Sequence, residues 1–172
     1  MLDRGNIIES AFLKLGEVGQ IYSDNRTEQY EVAGKLLDNI LETVALDTDF
    51  LFNATTVSLN KNINSTNDFG EYRYNIPNDF LTIIRYSDNM KFEGEFIYST
   101  NENLNITYCR KIAIEEYPQY MKNYLIYKLS VELCNTYSAY SDKLSAMHGY
   151  LSDEKTKILN NEGLVISHLN GG

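Results

Sequence analysis

The stretch "EYRYNIPNDFLTIIRYS", residues 71–87, decides how the middle of this chain is read. "YRYNI" alternates in the manner of a strand, and "FLTIIRY" is rich in β-branched and aromatic residues. Between them stands Pro77, which has no N–H for a ladder and pushes Ile76 into extended geometry. Asn78 or Asp79 can bond back to the backbone and turn the chain. The stretch therefore reads as two strands joined at an elbow. Working outward, "FLFNATTVSL" (50–59) reads as a preceding strand and "NKNINSTNDFGE" (60–71) as a polar loop. "GEFIYST" and "NITYCRKI" read as two further strands joined through the hairpin-type turn "NEN". Residues 50–112 are thus expected to form an antiparallel β unit of four or five strands.

Helical periodicity flanks this unit on both sides. Ile7, Ile8, Phe12 and Leu15 predict a helix over 6–15, with Gly16 as its stop. A loop over 17–24, holding Gly19, Ile21 and Tyr22, leads to a second helix over 25–47. Asn25 and Glu28 have capping-box spacing, and Tyr30, Ala33, Leu37, Ile40 and Val44 form its apolar stripe. Gly34 inside that helix costs about 1 kcal/mol relative to Ala unless something packs closely there. After the β unit, a helix is expected over 116–140, with Pro118 in its first turn and Glu115 and Glu116 at the positive end of the dipole. It is apolar over most of its circumference, which marks a central helix. A last helix is expected over 142–159, carrying Leu144, Met147, Leu151 and Ile158. Gly163 then opens a short tail, 163–172, with the apolar run Leu164, Val165 and Ile166. The expected architecture is a single α+β domain over 1–172: an antiparallel helical bundle with an antiparallel β unit inserted between the helix pairs.

Composition narrows the function. A chain of 172 residues with 43% hydrophobic and 23% charged residues is of globular type. A net charge of −9 opposes a protein that grips nucleic acid phosphates, though an acidic wall lets nucleic acid slide past. No apolar run approaches the roughly 20 residues needed to span a bilayer, so no membrane partner is expected. The first residues lack a signal-peptide pattern, which places synthesis in a cytoplasm. Cys109 and Cys134 lack CxxC spacing, and His148 and His168 lack ligand neighbours, so both cysteines read as buried apolar side chains. No nucleophile elbow, phosphate loop, dinucleotide fingerprint or metal-site motif occurs. The expectation is no catalytic residue, no cofactor, no metal and no enzyme. What stands out is 14 tyrosines and 7 phenylalanines, more aromatic surface than one core of this size calls for. Tyrosine suits interfaces because one end is apolar and the other polar. The candidate interface residues are Tyr72, Tyr74, Pro77, Asp79 and Phe80 on the elbow, Tyr117, Tyr120, Tyr124 and Tyr127 on the third helix, and Leu164, Val165 and Ile166 in the tail.

The order of these parts resembles the tail tubular protein A family of tailed bacteriophages, the head-to-tail adaptors of short-tailed phages. The resemblance is carried by an aromatic strand after the second helix, by the elbow Pro77, Asp79, Phe80 and Leu81, and by Glu116, Tyr117, Pro118, Leu125, Leu129 and Leu133 after the β unit. It covers roughly residues 6–160, and the A/T-type residue usage is similar to that of crAss-like phages. The resemblance implies a virion protein of the neck. Such a protein forms a homo-oligomeric ring, commonly of twelve copies, beneath the portal protein. The ring extends the DNA channel and offers an attachment platform to the next tail or neck protein. Packaged DNA then passes the lumen without specific binding. A head-completion or connector protein, or another neck ring, of a long-tailed phage is the alternative in the same structural world. A small phage-encoded enzyme or a host-directed effector is the more distant one.

Overall fold

The structure is a computed structural model that describes residues 1–17, 27–67, 69–86 and 89–169, without the side chains of 27, 63–65 and 162–169. The loop expected over 17–24 beyond residue 17, the cap at Asn25 and the side chains of Leu164, Val165 and Ile166 lie outside the described residues. The fold is α+β. Read from sequence as one domain, the chain divides into two compact units: a helical unit of residues 1–52 and 113–172, and a β unit of residues 53–112 inserted into it.

In the helical unit, helix α1 spans Arg4–Lys14. Asp3 caps it, its carboxylate accepting the Asn6 N–H at 2.8 Å. Gly16, with φ 82°, ends it in the left-handed conformation that glycine adopts without a Cβ penalty. Helix α2 spans Thr27–Leu46. At Gly34 a side chain does approach, that of Arg4: its Nη2 donates to the Gly34 carbonyl at 2.7 Å and to Asp38 Oδ2 at 2.9 Å. A Cβ on Gly34 would stand 3.1 Å from the same nitrogen.

The strand expected to begin at Phe50 begins only at Ala54. "FLF" belongs instead to the helical unit, where Phe50 is buried edge-on to Tyr124 at 5.1 Å and Phe52 packs on Tyr117 at 4.9 Å. Tertiary burial of the rings overrides their strand propensity.

The helix expected over 116–140 is also shorter. Single 3-10 turns at Ile114–Glu116 and Gln119–Met121 precede helix α3, Lys122–Thr136. Tyr117 stands before Pro118 and is extended, as that position requires, so the α-helix starts only beyond the proline. Tyr137, again extended, ends α3, and a 3-10 stretch at Ser138–Lys143 leads into helix α4, Leu144–Leu169. Helix α4 runs through Gly163, so the short tail expected from that residue is helical backbone as far as Leu169. The residue carries no cost large enough to stop an established helix: about 1 kcal/mol against one bond gained per residue.

Helix α3 packs against α1, α2 and α4, with Leu125, Leu129 and Leu133 fully buried. This is the central position its apolar circumference predicts. Helix α4 and the 3-10 stretch before it contribute two tethers. Lys143 donates to the Leu15 carbonyl at the end of α1, and Lys155 reaches Asp49 at 2.8 Å and Asp47 at 3.4 Å beyond the end of α2.

Among the described residues the β unit has seven strands where four or five were expected: β1 Ala54–Leu59, β2 Lys61–Thr66, β3 Tyr72–Asn75, β4 Phe80–Tyr86, β5 Met90–Glu93, β6 Phe96–Ser99 and β7 Leu104–Arg110. They form two antiparallel sheets, ordered β1-β7-β4 and β2-β3-β6-β5. The polar stretch after residue 60, expected as a loop, supplies β2. Its bulged pairing with β3 accommodates a run with no apolar alternation. The hairpin expected about "NEN" is absent, because β6 and β7 belong to different sheets. The hairpin is instead β5–β6, where Glu93 pairs Phe96 across Gly94, whose φ is 60°. Side chains of both sheets share one core: Tyr74 and Ile97 from one, Leu104, Ile106 and Tyr108 from the other.

Each core is expected to be separately sensitive. Leu129→Ala, in the centre of the helical unit, and Ile106→Ala, in the centre of the β unit, should each cost about 2–5 kcal/mol in denaturant melts of the full chain. Lys157→Ala, at an ion pair on the surface, should leave the denaturant melt close to that of the wild type.

Candidate functional site

The elbow read from the sequence is one of the four places where the chain passes between the two sheets. Strand β3 lies in one sheet and β4 in the other, so the chain must leave its ladder between Asn75 and Phe80. Pro77 makes that exit obligatory, and its carbonyl accepts the Phe80 N–H at 3.1 Å to close the turn. Asp79 then fixes the turn to β7. Its carboxylate accepts the Tyr108 hydroxyl at 2.8 Å, and its carbonyl accepts the Lys111 N–H at 2.6 Å. Burial, reinforced by the hydrogen bond to Asp79, pushes the Tyr108 hydroxyl up to about 12. Phe80 is half-buried, with its ring 5.4 Å from that of Tyr108 and 5.7 Å from that of Phe92. An open cavity of about 530 Å³ lies against the turn, bounded by Asn75, Pro77, Asn78, Glu95 and Phe96.

The predicted interface residues separate into two groups. Tyr74 is fully buried and donates its hydroxyl to the Asn101 carbonyl; it is core. Tyr72 is half-buried, its hydroxyl on Glu102 at 3.0 Å and Lys61 over its ring at 4.6 Å. On the helical unit, Tyr117 is buried and donates to the Leu41 carbonyl at 2.9 Å, and burial raises its hydroxyl to about 12. Tyr124 is buried against Phe50. Tyr120 is 43% exposed, and Tyr127 is half-buried, stacked on Tyr150 at 5.3 Å under Lys14. Only Tyr124 and Tyr127 lie on α3, three residues apart, while Tyr117 and Tyr120 belong to the irregular entry before it, so burial is set residue by residue. Tyr74, Tyr117 and Tyr124 are therefore withdrawn as contact residues, because their rings are spent on the chain's own core.

Other aromatic side chains, not singled out from sequence, are open to solvent. Phe69 is 82% exposed, Tyr86 55% and Phe92 42%. The last two have an unusual placement. Tyr86 pairs with buried Ile106 and Phe92 with buried Ile97, so both stand on the core-facing side of their strands. They remain exposed because β4 and β5 are edge strands of their sheets. Period-two patterning assigns such residues to the interior, and only the strand order reveals that nothing closes over them.

Among the described residues, no three His, Cys, Asp or Glu side chains gather where they could hold a metal ion. No described helix is long and apolar enough to cross a membrane. Compared with models of known protein families and with curated proteins, the chain has no match to either.

The raised tyrosines carry a pH dependence. A hydroxyl that ionises near 10 unfolded and near 12 folded keeps its proton longer in the native state. Stability is then complete below pH 10 and falls as pH rises from about 10 to about 12, by at most about 1.4 kcal/mol per pH unit for each group. Alkaline unfolding followed by circular dichroism should show this decline, and Tyr108→Phe and Tyr117→Phe should each flatten it.

Proposed function

We propose that the chain is a structural protein of a bacteriophage virion, a head-to-tail adaptor that forms a homo-oligomeric ring beneath the portal. The observation that carries the reading is the insertion itself. Residues 53–112 leave the helical unit after Phe52 and return at Ala113, forming a separate compact unit with exposed aromatic side chains at Phe69, Tyr86 and Phe92. Phe92 lies against half-buried Phe80, so exposed aromatic surface gathers at that edge, as at a contact site. The order of parts adds support: two helices, the elbow at Pro77 to Leu81, then Glu116, Tyr117 and Pro118 opening onto the central helix, as in the family the sequence resembles.

In this reading the helical unit is the rigid body of each subunit, and the β unit makes contacts with neighbours. A closed ring needs two different complementary patches on each copy. The portal above and the next tail or neck protein below take the two faces of the ring. The net charge of −9 suits a channel wall that passing DNA does not adhere to. The protein works by fitting surfaces together, and the reading assigns it no bond-making chemistry.

Native mass spectrometry of the chain with the portal protein, and imaging of purified particles, test this directly. The expected result is a closed multi-subunit ring on the portal and density for the chain at the neck. A chain that stays monomeric beside the portal and is missing from particles overturns the reading.

A further inference from the structure

The three-stranded sheet β1-β7-β4 has two free edges of unlike character. At the β4 edge the core is open, with Tyr86 and Phe92 on the core-facing side yet exposed, and Phe80 beside Phe92. The β1 edge is the least protected in the β unit. Edge strands are ordinarily blunted by charge, bulges or brevity. Strand β2 carries Lys61 and a register shift, β5 has four residues including Lys91 and Glu93, and β4 has two register shifts. Strand β1, "ATTVSL", has none of these devices. It keeps one-to-one register with β7 over six residues, and among the described residues no backbone group pairs with its outer side. Its core-facing Val57 and Leu59 are only half-buried.

We propose that the subunits of the ring join through these two edges: β1 of one copy lies along the β4 edge of the next, and its Val57 and Leu59 cover Tyr86 and Phe92. The inference rests on the ring reading and names its subunit contact. The edge strand without ion pairs is the occupant. Lys61, Lys91 and Glu93 on the other edges are already engaged, Lys61 with Glu102 at 2.8 Å and Lys91 with Glu71 at 2.8 Å and Glu93 at 3.1 Å. Strand β1 is the uncharged edge, and it presents β-branched and apolar side chains to aromatic ones, a favourable pairing across strands. Direction agrees as well. Both β1 and β4 run antiparallel to β7, hence parallel to each other, so joining them extends the sheet in a constant sense from copy to copy. The contact is heterologous, which is the kind a ring requires. The shifts of register in β4 limit how many ladder bonds can form, so side-chain burial carries most of the contact.

The test uses the full chain and disables one edge at a time: Phe92→Lys at the open side and Val57→Lys on β1. Should either fail to keep the wild-type melting profile, Tyr86→Lys or Ser58→Lys, at exposed positions, replaces it. Wild type is expected to self-associate in native mass spectrometry. Each variant alone is expected to lose that association by at least about tenfold. An equimolar mixture of the two edge variants should form dimers and nothing larger, since each copy retains one working edge. Rings formed by the folded variants, or a mixture that yields no dimer, overturn the proposal while leaving the ring reading in place. A wild type that is monomeric both alone and with the portal overturns both. Association of wild type with the portal without contact between copies overturns the edge contact and the ring together, and leaves only portal binding.

Discussion

The Asp79 carboxylate and carbonyl hold the β unit together at the place where its chain passes from β3 in one sheet to β4 in the other. A strand that continued past Asn75 in its own ladder would leave the second sheet without β4. Pro77 forbids the continuation, and Asp79 sets the course of β4 by bonding the Tyr108 hydroxyl and the Lys111 N–H, both on or beside β7. Two polar groups at the margin of an apolar core are thereby satisfied at once, which matters because an unpaired buried hydroxyl costs about 1–3 kcal/mol. Phe80 can then turn inward onto Tyr108, and the two sheets close over Tyr74, Ile97 and Ile106.

The helical unit answers a different constraint, that of covering Leu125, Ile126, Leu129, Val131 and Leu133 on one central helix. Helix α3 is covered by α1, α2 and α4, and the contacts that position them come from long cationic side chains at or near helix ends. Arg4 spans from α1 to the Gly34 carbonyl and Asp38, Lys143 closes the end of α1, and Lys155 reaches the carboxylates after α2. Individually such exposed pairs contribute little. Their value is geometric, since each sets the depth at which one helix meets another.

The elements with strong local signals were legible in the sequence. The apolar stripe of α2, the stop at Gly16 and the break at Pro77 each arise from the residue present. What could not be read depends on distant partners. Phe50 and Phe52 look like strand residues until the pockets beside Tyr124 and Tyr117 claim them. "KNINST" has no alternation and becomes a strand only because β3 offers it an edge. The tyrosines around 117–127 look alike in sequence, and the break at Pro118 takes Tyr117 and Tyr120 off the helix, so no single period sorts the four into buried and exposed. Tyr86 and Phe92 were missed for the opposite reason: a core-facing pattern implies burial, and an edge position cancels it.

The clasp at the root of the β unit has a consequence for how the chain reaches its native state. Asn53 is buried and holds Arg110 by two bonds: its carbonyl accepts the Arg110 N–H and its side-chain amide donates to the Arg110 carbonyl, both at 3.0 Å. The residues that precede Asn53 and those beyond Ile112 belong to a single helical core interrupted by the insertion. Were the inserted stretch a slack loop, bringing the halves together would cost about 3–4 kcal/mol of chain entropy. Once β1 and β7 have zipped, that penalty has already been met locally. During synthesis the contiguous sandwich emerges before α3 and α4 exist, so it can act as a hinge pin that delivers the two helical halves to one another.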